Sequence, residues 1–160
     1  MNGVSKLTLS EDISVITFNH LSADPTGLAK ILNQFAQAQI NIDMISQTAP
    51  NSGTISLSLT VFAQDLLKAL SLCNRLKDTV PGLRPLVSSG NCKLQLYGDE
   101  MRTMHGVAAK AIDTIASSGA EIYLITTSEV DISVLVARDK AFEAVTALEK
   151  AFQVSCESTF

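Results

Sequence analysis

Apolar and polar residues alternate in several short runs of the chain, and these runs predict β-strands. Residues Ile13–His20 and Thr54–Phe62 alternate with a period of two and are rich in β-branched residues. Residues Ile40–Gln47 follow the same pattern. The other candidate strands are Gly3–Leu9, Leu83–Ser89, Leu94–Gly98, Glu121–Thr127 and Asp131–Ala137.

Between these runs, apolar residues recur at helical spacing and predict four helices. The first helix opens at Asp24 and Pro25, which suit the N-cap and the first helical position. Its apolar positions are Leu28, Ile31, Leu32 and Phe35, and those of the second helix are Leu66, Leu67, Leu70 and Leu76. The second helix has to end before Pro81, and the other two cover Gly106–Ser118 and Lys140–Phe152.

The two halves of the chain repeat one pattern at an offset of about 80 residues, with Ala29 and Lys30 matching Ala109 and Lys110. Each half reads β-α-β-β-α, which predicts an α+β fold of two ferredoxin-like (βαββαβ) units, with antiparallel sheets and helices on one face. The second half is one strand short, so the strand 3–9 is expected to complete it and interleave the units. The predicted boundaries are 12–90 for the first unit, 91–154 with 3–9 for the second, and 155–160 for a tail.

Composition and charge narrow the class of protein. The chain has 160 residues, a formal net charge of −4 and 46% hydrophobic residues, which excludes intrinsic disorder. There are 12 Lys and Arg against 16 Asp and Glu, with no basic run, so no binding to nucleic acid or to a membrane surface is expected. No apolar stretch is long enough to span a bilayer, and the N-terminus lacks the features of a signal peptide. We therefore expect a cytoplasmic protein.

The sequence lacks the motifs of common enzyme and cofactor sites. It contains no phosphate-binding loop, dinucleotide-binding fingerprint or nucleophile elbow. Cys73, Cys92 and Cys156 form no Cys-x-x-Cys pair, and the two histidines have no ligand-type residues at metal-binding spacing. The predicted central strands also lack the aromatic residues that stack RNA bases. We therefore predict no catalytic residue, no metal and no cofactor in this chain.

Five short motifs stand at fixed separations along the chain. Residues 24–30 read Asp-Pro-Thr-Gly-Leu-Ala-Lys, and residues 40–47 read Ile-Asn-Ile-Asp-Met-Ile-Ser-Gln. The second half contains Gly98–Met101, Gly106–Lys110 and residues 125–134, Ile-Thr-Thr-Ser-Glu-Val-Asp-Ile-Ser-Val. Together they resemble the tandem ACT domains that form the regulatory region of bacterial aspartokinases. The resemblance covers roughly Gly3 to Val154, and in that family the N-terminal strand also belongs to the second ACT unit.

This resemblance implies an allosteric region that binds lysine, threonine or both for feedback inhibition. The implied partners are a small-molecule amino acid, an aspartokinase catalytic domain or subunit, and a second copy of the chain in a homodimer. The kinase domain is absent from these residues, so the chain resembles a regulatory fragment or a small subunit made from an internal start. Two alternatives are a stand-alone ACT regulator and a small ferredoxin-like enzyme such as an acylphosphatase. The acylphosphatase alternative requires a pair of an arginine and an asparagine, which this chain lacks.

A free amino acid needs donors for its carboxylate and an acceptor for its ammonium group. The helix that begins after Asp24 offers unpaired backbone N–H groups and the positive end of its dipole. Asp24 or Asp43 can accept the ammonium, although Asp24 has a purely structural interpretation as a helix cap. The backbone groups placed for the carboxylate are those of Thr26, Gly27, Leu28 and Ala29.

The resemblance adds residues from elsewhere in the chain. It places the ligand between this loop of one unit and the Asn-Ile-Asp strand of a partnering unit, which carries over to Asn41, Ile42, Asp43 and Gln47. Asn41 as a turn residue and Asp43 as a solvated strand residue are the structural alternatives. Thr127, Ser128 and Glu129 match a motif that contacts lysine in some relatives, and an interface role is also open to them.

Two departures from the family pattern affect these expectations. Thr26 stands at the aligned glycine position, so the loop of the first unit has a different shape or preference. In the second unit Glu121 replaces the asparagine, and its carboxylate would repel that of a ligand. We therefore expect the equivalent site of the second unit not to bind.

Overall fold

A computed structural model describes residues 2–80 and 82–159 of the chain. The chain forms two compact units, which we call the first unit (Ile13–Ser89) and the second unit (Met1–Asp12 with Gly90–Phe160). Each unit has its own hydrophobic core, to which strands and helices both contribute. The predicted α+β class with two interleaved units is confirmed.

The first unit consists of a β-sheet with two helices. Its strand order is β2-β3-β1-β4, in which β3 is antiparallel to both β1 and β2. Phe18, Phe35 and Leu57 are fully buried in its core. Its elements are β1 (Lys6–Ser22), α1 (Pro25–Gln37), β2 (Ile45–Gln47), β3 (Thr54–Phe62), α2 (Leu66–Thr79) and β4 (Pro85–Tyr97), of which β1 and β4 also contribute to the second unit.

The second unit repeats this arrangement and adds one strand. Its further elements are α3 (Val107–Ser117), β5 (Ile122–Thr127), β6 (Asp131–Val136), α4 (Ala141–Phe152) and β7 (Cys156–Thr159). The strand order is β1-β4-β6-β5, and β7 pairs with β1 in parallel. Leu7 from β1 lies in the same core as Leu94, Ile115 and Phe152, so residues before the first unit complete the second.

Both long strands cover regions where the sequence pattern predicts separate strands. Gly3–Leu9 and Ile13–His20 fall largely within β1, and β4 (Pro85–Tyr97) covers most of the predicted strands Leu83–Ser89 and Leu94–Gly98. The prediction of separate strands is wrong because a single kinked residue does not end the strand. At Asp12, for example, φ is 57° and β1 continues on both sides.

Strand β2 is shorter than the predicted strand Ile40–Gln47 and begins at Ile45. The Asp43 N–H donates to the Thr60 carbonyl at 3.0 Å, and the Thr60 N–H donates to the Met44 carbonyl at 3.0 Å. Asp43 and Met44 therefore both lie opposite Thr60, as in a β-bulge, and this interrupts the regular hydrogen bonding to β3. Ile40 and Met44 are nevertheless buried, as their alternation predicts.

Helix α2 buries a different face from the one that its leucines suggest. Ala69, Leu72, Cys73 and Leu76 are buried at the spacing of a helical stripe, whereas Leu67 is 81% exposed. Small and sulfur-containing residues therefore form much of the buried stripe. Pro81, which was expected to follow the helix end, lies outside the described residues.

Within the predicted tail 155–160, residues Cys156–Thr159 form a short strand, β7. Leu7 pairs with Cys156 and Leu9 with Ser158, so β7 satisfies backbone groups along one edge of β1. The Cys156 N–H also donates to a carboxylate oxygen of Glu149 at 2.8 Å, which fixes the approach of the strand. Polar side chains do not prevent pairing at a sheet edge, because the backbone supplies the hydrogen bonds.

Candidate functional site

A cleft of about 390 Å³ lies in the second unit, between the start of α3 and the end of β5. This volume is in the lower part of the range that holds small-molecule ligands. The cleft combines backbone at a helix start, an apolar wall and a pair of opposite charges. Its lining residues are Met101, Arg102, Met104, Gly106, Val107, Ala108, Thr127, Ser128, Glu129 and Ile132.

Helix α3 begins at the cleft without a side-chain cap. Gly106 occupies the N-cap position with φ of 84°, a left-handed conformation that glycine adopts without strain. The next residue, Val107, is buried in the core and fixes the start of the helix. The first N–H groups of a helix have no partner within the helix, so this end presents donors and the positive end of the dipole.

The polar side of the cleft contains an ion pair between Arg102 and Glu129. Arg102 ends a 3₁₀ turn (Asp99–Arg102), and Glu129 lies in the connection between β5 and β6. Their side chains are 55% and 79% exposed, so water screens the attraction and the pair stabilises the fold little. Both charges are therefore available to a ligand.

Ser128 has a structural role in the same connection. Its hydroxyl hydrogen-bonds the Asp131 carboxylate at 2.8 Å and accepts from the N–H groups of Val130 and Asp131 at 3.2 Å. The Ser128 N–H donates to the Asp131 carbonyl at 2.9 Å and closes the turn. Ser128 therefore shapes the connection that carries Glu129 into the cleft.

The N-terminal segment packs tightly at two glycines, and one of them lies against Val107, which lines the cleft. A Cβ atom at Gly98 would lie 1.8 Å from the Gly3 carbonyl oxygen, and one at Gly3 would lie 2.5 Å from Cγ2 of Val107. The Asn2 side chain donates to the Phe152 carbonyl and accepts from the Val4 N–H at 3.0 Å. The backbone of the segment is thus held against the first residue of α3.

In the first unit, Asp24 caps the start of α1, where several predicted site residues lie. The Asp24 carboxylate accepts from the Thr26 N–H at 2.9 Å, and the Gly27 N–H donates to the Asp24 carbonyl at 3.1 Å. Hydrogen bonds from the backbone and side chain of Thr26, with a smaller contribution from the charge of Lys30, hold the pKa of Asp24 below its ordinary value. Leu28 packs against the core and Ala29 is exposed. The proposed cap role of Asp24 is therefore observed.

The remaining predicted residues of the first unit do not converge on this loop. Asn41, Ile42 and Asp43 follow the C-terminal end of α1, and a helix of 13 residues is roughly 20 Å long. Ile42 packs against the core, while the side chains of Asn41 and Gln47 are exposed. Within this unit, Asn41–Asp43 and Asp24 therefore do not form one site.

In the second unit, the structure brings together two regions that the sequence analysis treated separately. The repeat offset maps the loop Thr26–Ala29 onto Gly106–Ala109, and Gly106 lies in one cleft with Thr127 and Glu129. Glu121 precedes β5 at its opposite end, roughly 20 Å of strand away from Thr127, so its charge is not part of the cleft. The expectation that the second unit does not bind a ligand rests on that charge and therefore does not extend to this cleft. Arg102, Met101 and Met104 were missed as site residues because their position depends on the 3₁₀ turn, for which the sequence gives no periodic signal.

Other chemistry is sparse in the part of the chain that the structure describes. Those residues contain no cluster of three or more metal-ligand side chains and no helix long and apolar enough to cross a membrane. Burial raises the pKa of the Cys73 thiol to about 11, against the smaller opposing effect of Lys77. Burial also raises the pKa of Cys92. Both thiols are therefore protonated at neutral pH and weakly nucleophilic.

Comparison with known families defines the class first. Residues 94–152, in the second unit, match the ACT domain family. An aspartokinase of Bacillus sp. (strain MGA3) is 29% identical over 152 residues, which are 95% of this chain and 37% of that protein. An aspartokinase of Corynebacterium glutamicum is 31% identical over 144 residues, 89% of this chain and 34% of that protein. The chain thus spans little more than a third of the length of these curated relatives.

Two solved chains match this chain over nearly the whole of their own length. The regulatory subunit of aspartate kinase from Thermus thermophilus, in a ligand-free form, is 28% identical with a TM-score of 0.86, covering 94% of this chain and 99% of that chain. A chain in a crystal structure of aspartokinase alpha and beta subunits is 31% identical with a TM-score of 0.83 and the same coverage. The protein belongs to the aspartokinase family and corresponds to its ACT-domain regulatory region.

Proposed function

We propose that this chain binds free amino acids and transmits their binding to an aspartokinase catalytic domain or subunit. The observation that carries the proposal is the cleft of the second unit, where an uncapped helix start and an Arg–Glu pair offer partners for both charges of an amino acid. The chain corresponds to the regulatory region of aspartokinases, and this is the reason for proposing that amino-acid binding controls a kinase. Lysine and threonine are the proposed effectors, since the resemblance to aspartokinase regulatory regions implies them.

The first unit supplies the proposed lysine site. Asp24 and Asp43 each carry a carboxylate, and lysine brings two ammonium groups that need such acceptors. Because Asn41–Asp43 and Asp24 do not form one site within a unit, we propose that Asn41, Ile42 and Asp43 complete the site at Thr26–Ala29 of a partnering unit. A homodimer is the simplest source of that unit.

The N-terminal segment is the proposed route from the effector to the kinase. In the matched aspartokinases the chain covers only about 37% of the length, so a kinase domain or subunit is the proposed partner. Gly3 packs directly against Val107 at the start of α3, which lines the cleft. A ligand that shifts the first turn of α3 therefore also shifts the N-terminal segment around Gly3. Allostery needs two conformational states with different affinities for the ligand. The contact between Gly3 and Val107 is the proposed link between ligand binding in the cleft and the state of the kinase.

Thermal unfolding of the purified chain with lysine, threonine and other amino acids tests the proposal. A ligand at about 100 times its Kd should stabilise the fold by about 2.7 kcal/mol. We expect stabilisation by lysine or threonine and its loss in Asp43→Ala. Absence of stabilisation by every amino acid would contradict the proposal.

A stand-alone regulator is the competing function, and an activity assay separates it from the proposal. The chain is mixed with an aspartokinase catalytic subunit, and kinase activity is measured with and without lysine and threonine. We expect inhibition that requires both this chain and an effector. Binding of an effector with no change in any kinase activity would favour the stand-alone regulator.

A further inference from the structure

We propose that the cleft of the second unit selects a free amino acid with an apolar side chain, whose carboxylate and ammonium replace the Arg102–Glu129 ion pair. The inference rests on the proposed function, because it names the class of amino acid that one of its sites recognises. It also distinguishes this cleft from the acidic site proposed for lysine in the first unit.

The ion pair already provides the charges that a zwitterion needs. Arg102 and Glu129 contact each other and both line the cleft. A guanidinium can bind an α-carboxylate through two parallel hydrogen bonds, and a carboxylate accepts from an α-ammonium. Since both side chains are more than half exposed, the existing pair is weak and exchange costs little. The ligand therefore exchanges one salt bridge for two.

The rest of the cleft favours an apolar side chain. Met101, Met104, Val107 and Ile132 line it, and methionine adapts to ligands of different shape. Val107 and Ile132 are buried, so this wall belongs to the core of the unit. An aliphatic or thioether side chain gains burial against it.

Lysine and threonine fit the cleft less well. Among the described residues that line it, Glu129 is the only carboxylate, and the α-ammonium uses it, so a lysine ε-ammonium has no acidic partner there. The Ser128 hydroxyl is already bonded to Asp131 at 2.8 Å, so the remaining side-chain hydroxyl of the lining is the exposed one of Thr127. Threonine has a single methyl group to place against the apolar wall and therefore buries less apolar surface there than methionine or leucine. For lysine, bringing a charged ε-ammonium against the apolar wall without an acidic partner weakens binding.

Isothermal titration calorimetry on the whole chain tests this selectivity. The probes are L-methionine, L-leucine, L-lysine and L-threonine, with N-acetyl-L-methionine and L-methioninamide as ligands that each lack one charge. We expect binding of methionine or leucine at a site where lysine and threonine bind about tenfold more weakly or not at all. Each blocked methionine should also lose about tenfold or more in affinity.

Three variants assign the binding to the ion pair. Arg102→Gln and Glu129→Gln should each weaken methionine binding by about tenfold or more, because each removes one charged partner. Lys140→Gln is the matched control, since it breaks another exposed ion pair of the same unit, with Glu143. It should leave methionine affinity unchanged. Thermal unfolding of each variant without ligand checks that the fold is intact.

The outcomes separate this inference from the proposed function. Methionine binding that is lost in both cleft variants and kept in the control supports the inference. Lysine binding that is lost in Asp43→Ala, with no binding of apolar amino acids, overturns the inference and leaves the proposed function standing. Apolar binding that is unchanged in Arg102→Gln and Glu129→Gln also overturns it. Binding of none of the probes contradicts both.

Discussion

Helices α1 and α3 occupy equivalent places in the two units but begin in different ways. At α1, the Asp24 carboxylate accepts from the Thr26 N–H, and Pro25 fills the first helical position. At α3, Gly106 turns the chain in a left-handed conformation and contributes no capping side chain. The same fold therefore presents a helix start whose Thr26 N–H is bonded by the carboxylate of Asp24 in one unit, and a helix start without a capping side chain in the other.

The two units therefore share the same arrangement of strands and helices but differ in the residue that caps the first helix of each unit. An anionic cap competes with an anionic ligand for the same N–H groups, whereas a glycine cap leaves them free. In the second unit the freed groups lie beside Arg102 and Glu129. Substitutions at Gly106 and at Asp24 test this difference directly, and substitutions at Gly98 and Gly27 test the packing of the N-terminal segment.

The largest expected effect comes from substituting the tightly packed glycine of the second unit. Gly98→Ala places a Cβ 1.8 Å from the Gly3 carbonyl oxygen, so the N-terminal segment has to move. We expect the free energy of unfolding to fall by about 3 kcal/mol. Urea denaturation measures this change.

The matched control is Gly27→Ala in α1, where an added Cβ meets nothing within 4 Å. Alanine is the better helix former, so this variant should be more stable by about 0.5–1 kcal/mol. Similar stabilities for the two variants would show that the contact between Gly3 and Gly98 does not hold the N-terminal segment.

A smaller effect is expected where α3 begins. Gly106→Ala forces a side chain into the left-handed region at φ of 84°, which should cost about 1–2 kcal/mol in urea denaturation. Gly106→Asn should cost less, because asparagine tolerates this conformation and can supply a capping oxygen. An equal loss in the two variants would mean that the left-handed turn is not the reason for glycine there.

The smallest effect, and the only one that depends on pH, is expected at the start of α1. The folded pKa of Asp24 lies below its ordinary value of 3.8, so its stabilisation is complete above about that pH and is lost as the pH falls through the folded pKa. Asp24→Ala should therefore lower the unfolding temperature by about 2 °C at neutral pH. Differential scanning calorimetry at several pH values should show the gap closing in acid. A gap that is constant with pH would contradict the cap.

Much of the fold follows from local patterns in the sequence. Thr54–Phe62 forms β3 over the range predicted by its alternation, and Asp24 and Pro25 begin α1 as predicted. The observed strands differ from the predicted ones where backbone hydrogen bonding does not follow the alternation of apolar and polar residues. The bulge opposite Thr60 shortens β2, and Cys156–Thr159 pair with the edge of β1 to form β7.

The candidate site could be predicted only in part. Thr127 and Glu129 were identified from the resemblance, and both line the cleft. Arg102 was not, because a charged residue in a 3₁₀ turn carries no periodic signal and its partner lies 27 residues further along the chain. The residues predicted in the first unit stay a prediction, because Asn41–Asp43 need a partnering unit to meet Thr26–Ala29.

The most direct test is a titration of the ¹⁵N-labelled chain with methionine and, separately, with lysine, followed by amide NMR. We expect methionine to shift the signals of residues 106–108 and 127–129, at the open helix start. Lysine should instead shift those of residues 26–29. Methionine shifts confined to the first unit, or no shifts with either amino acid, would contradict the assignment of different ligands to the two units.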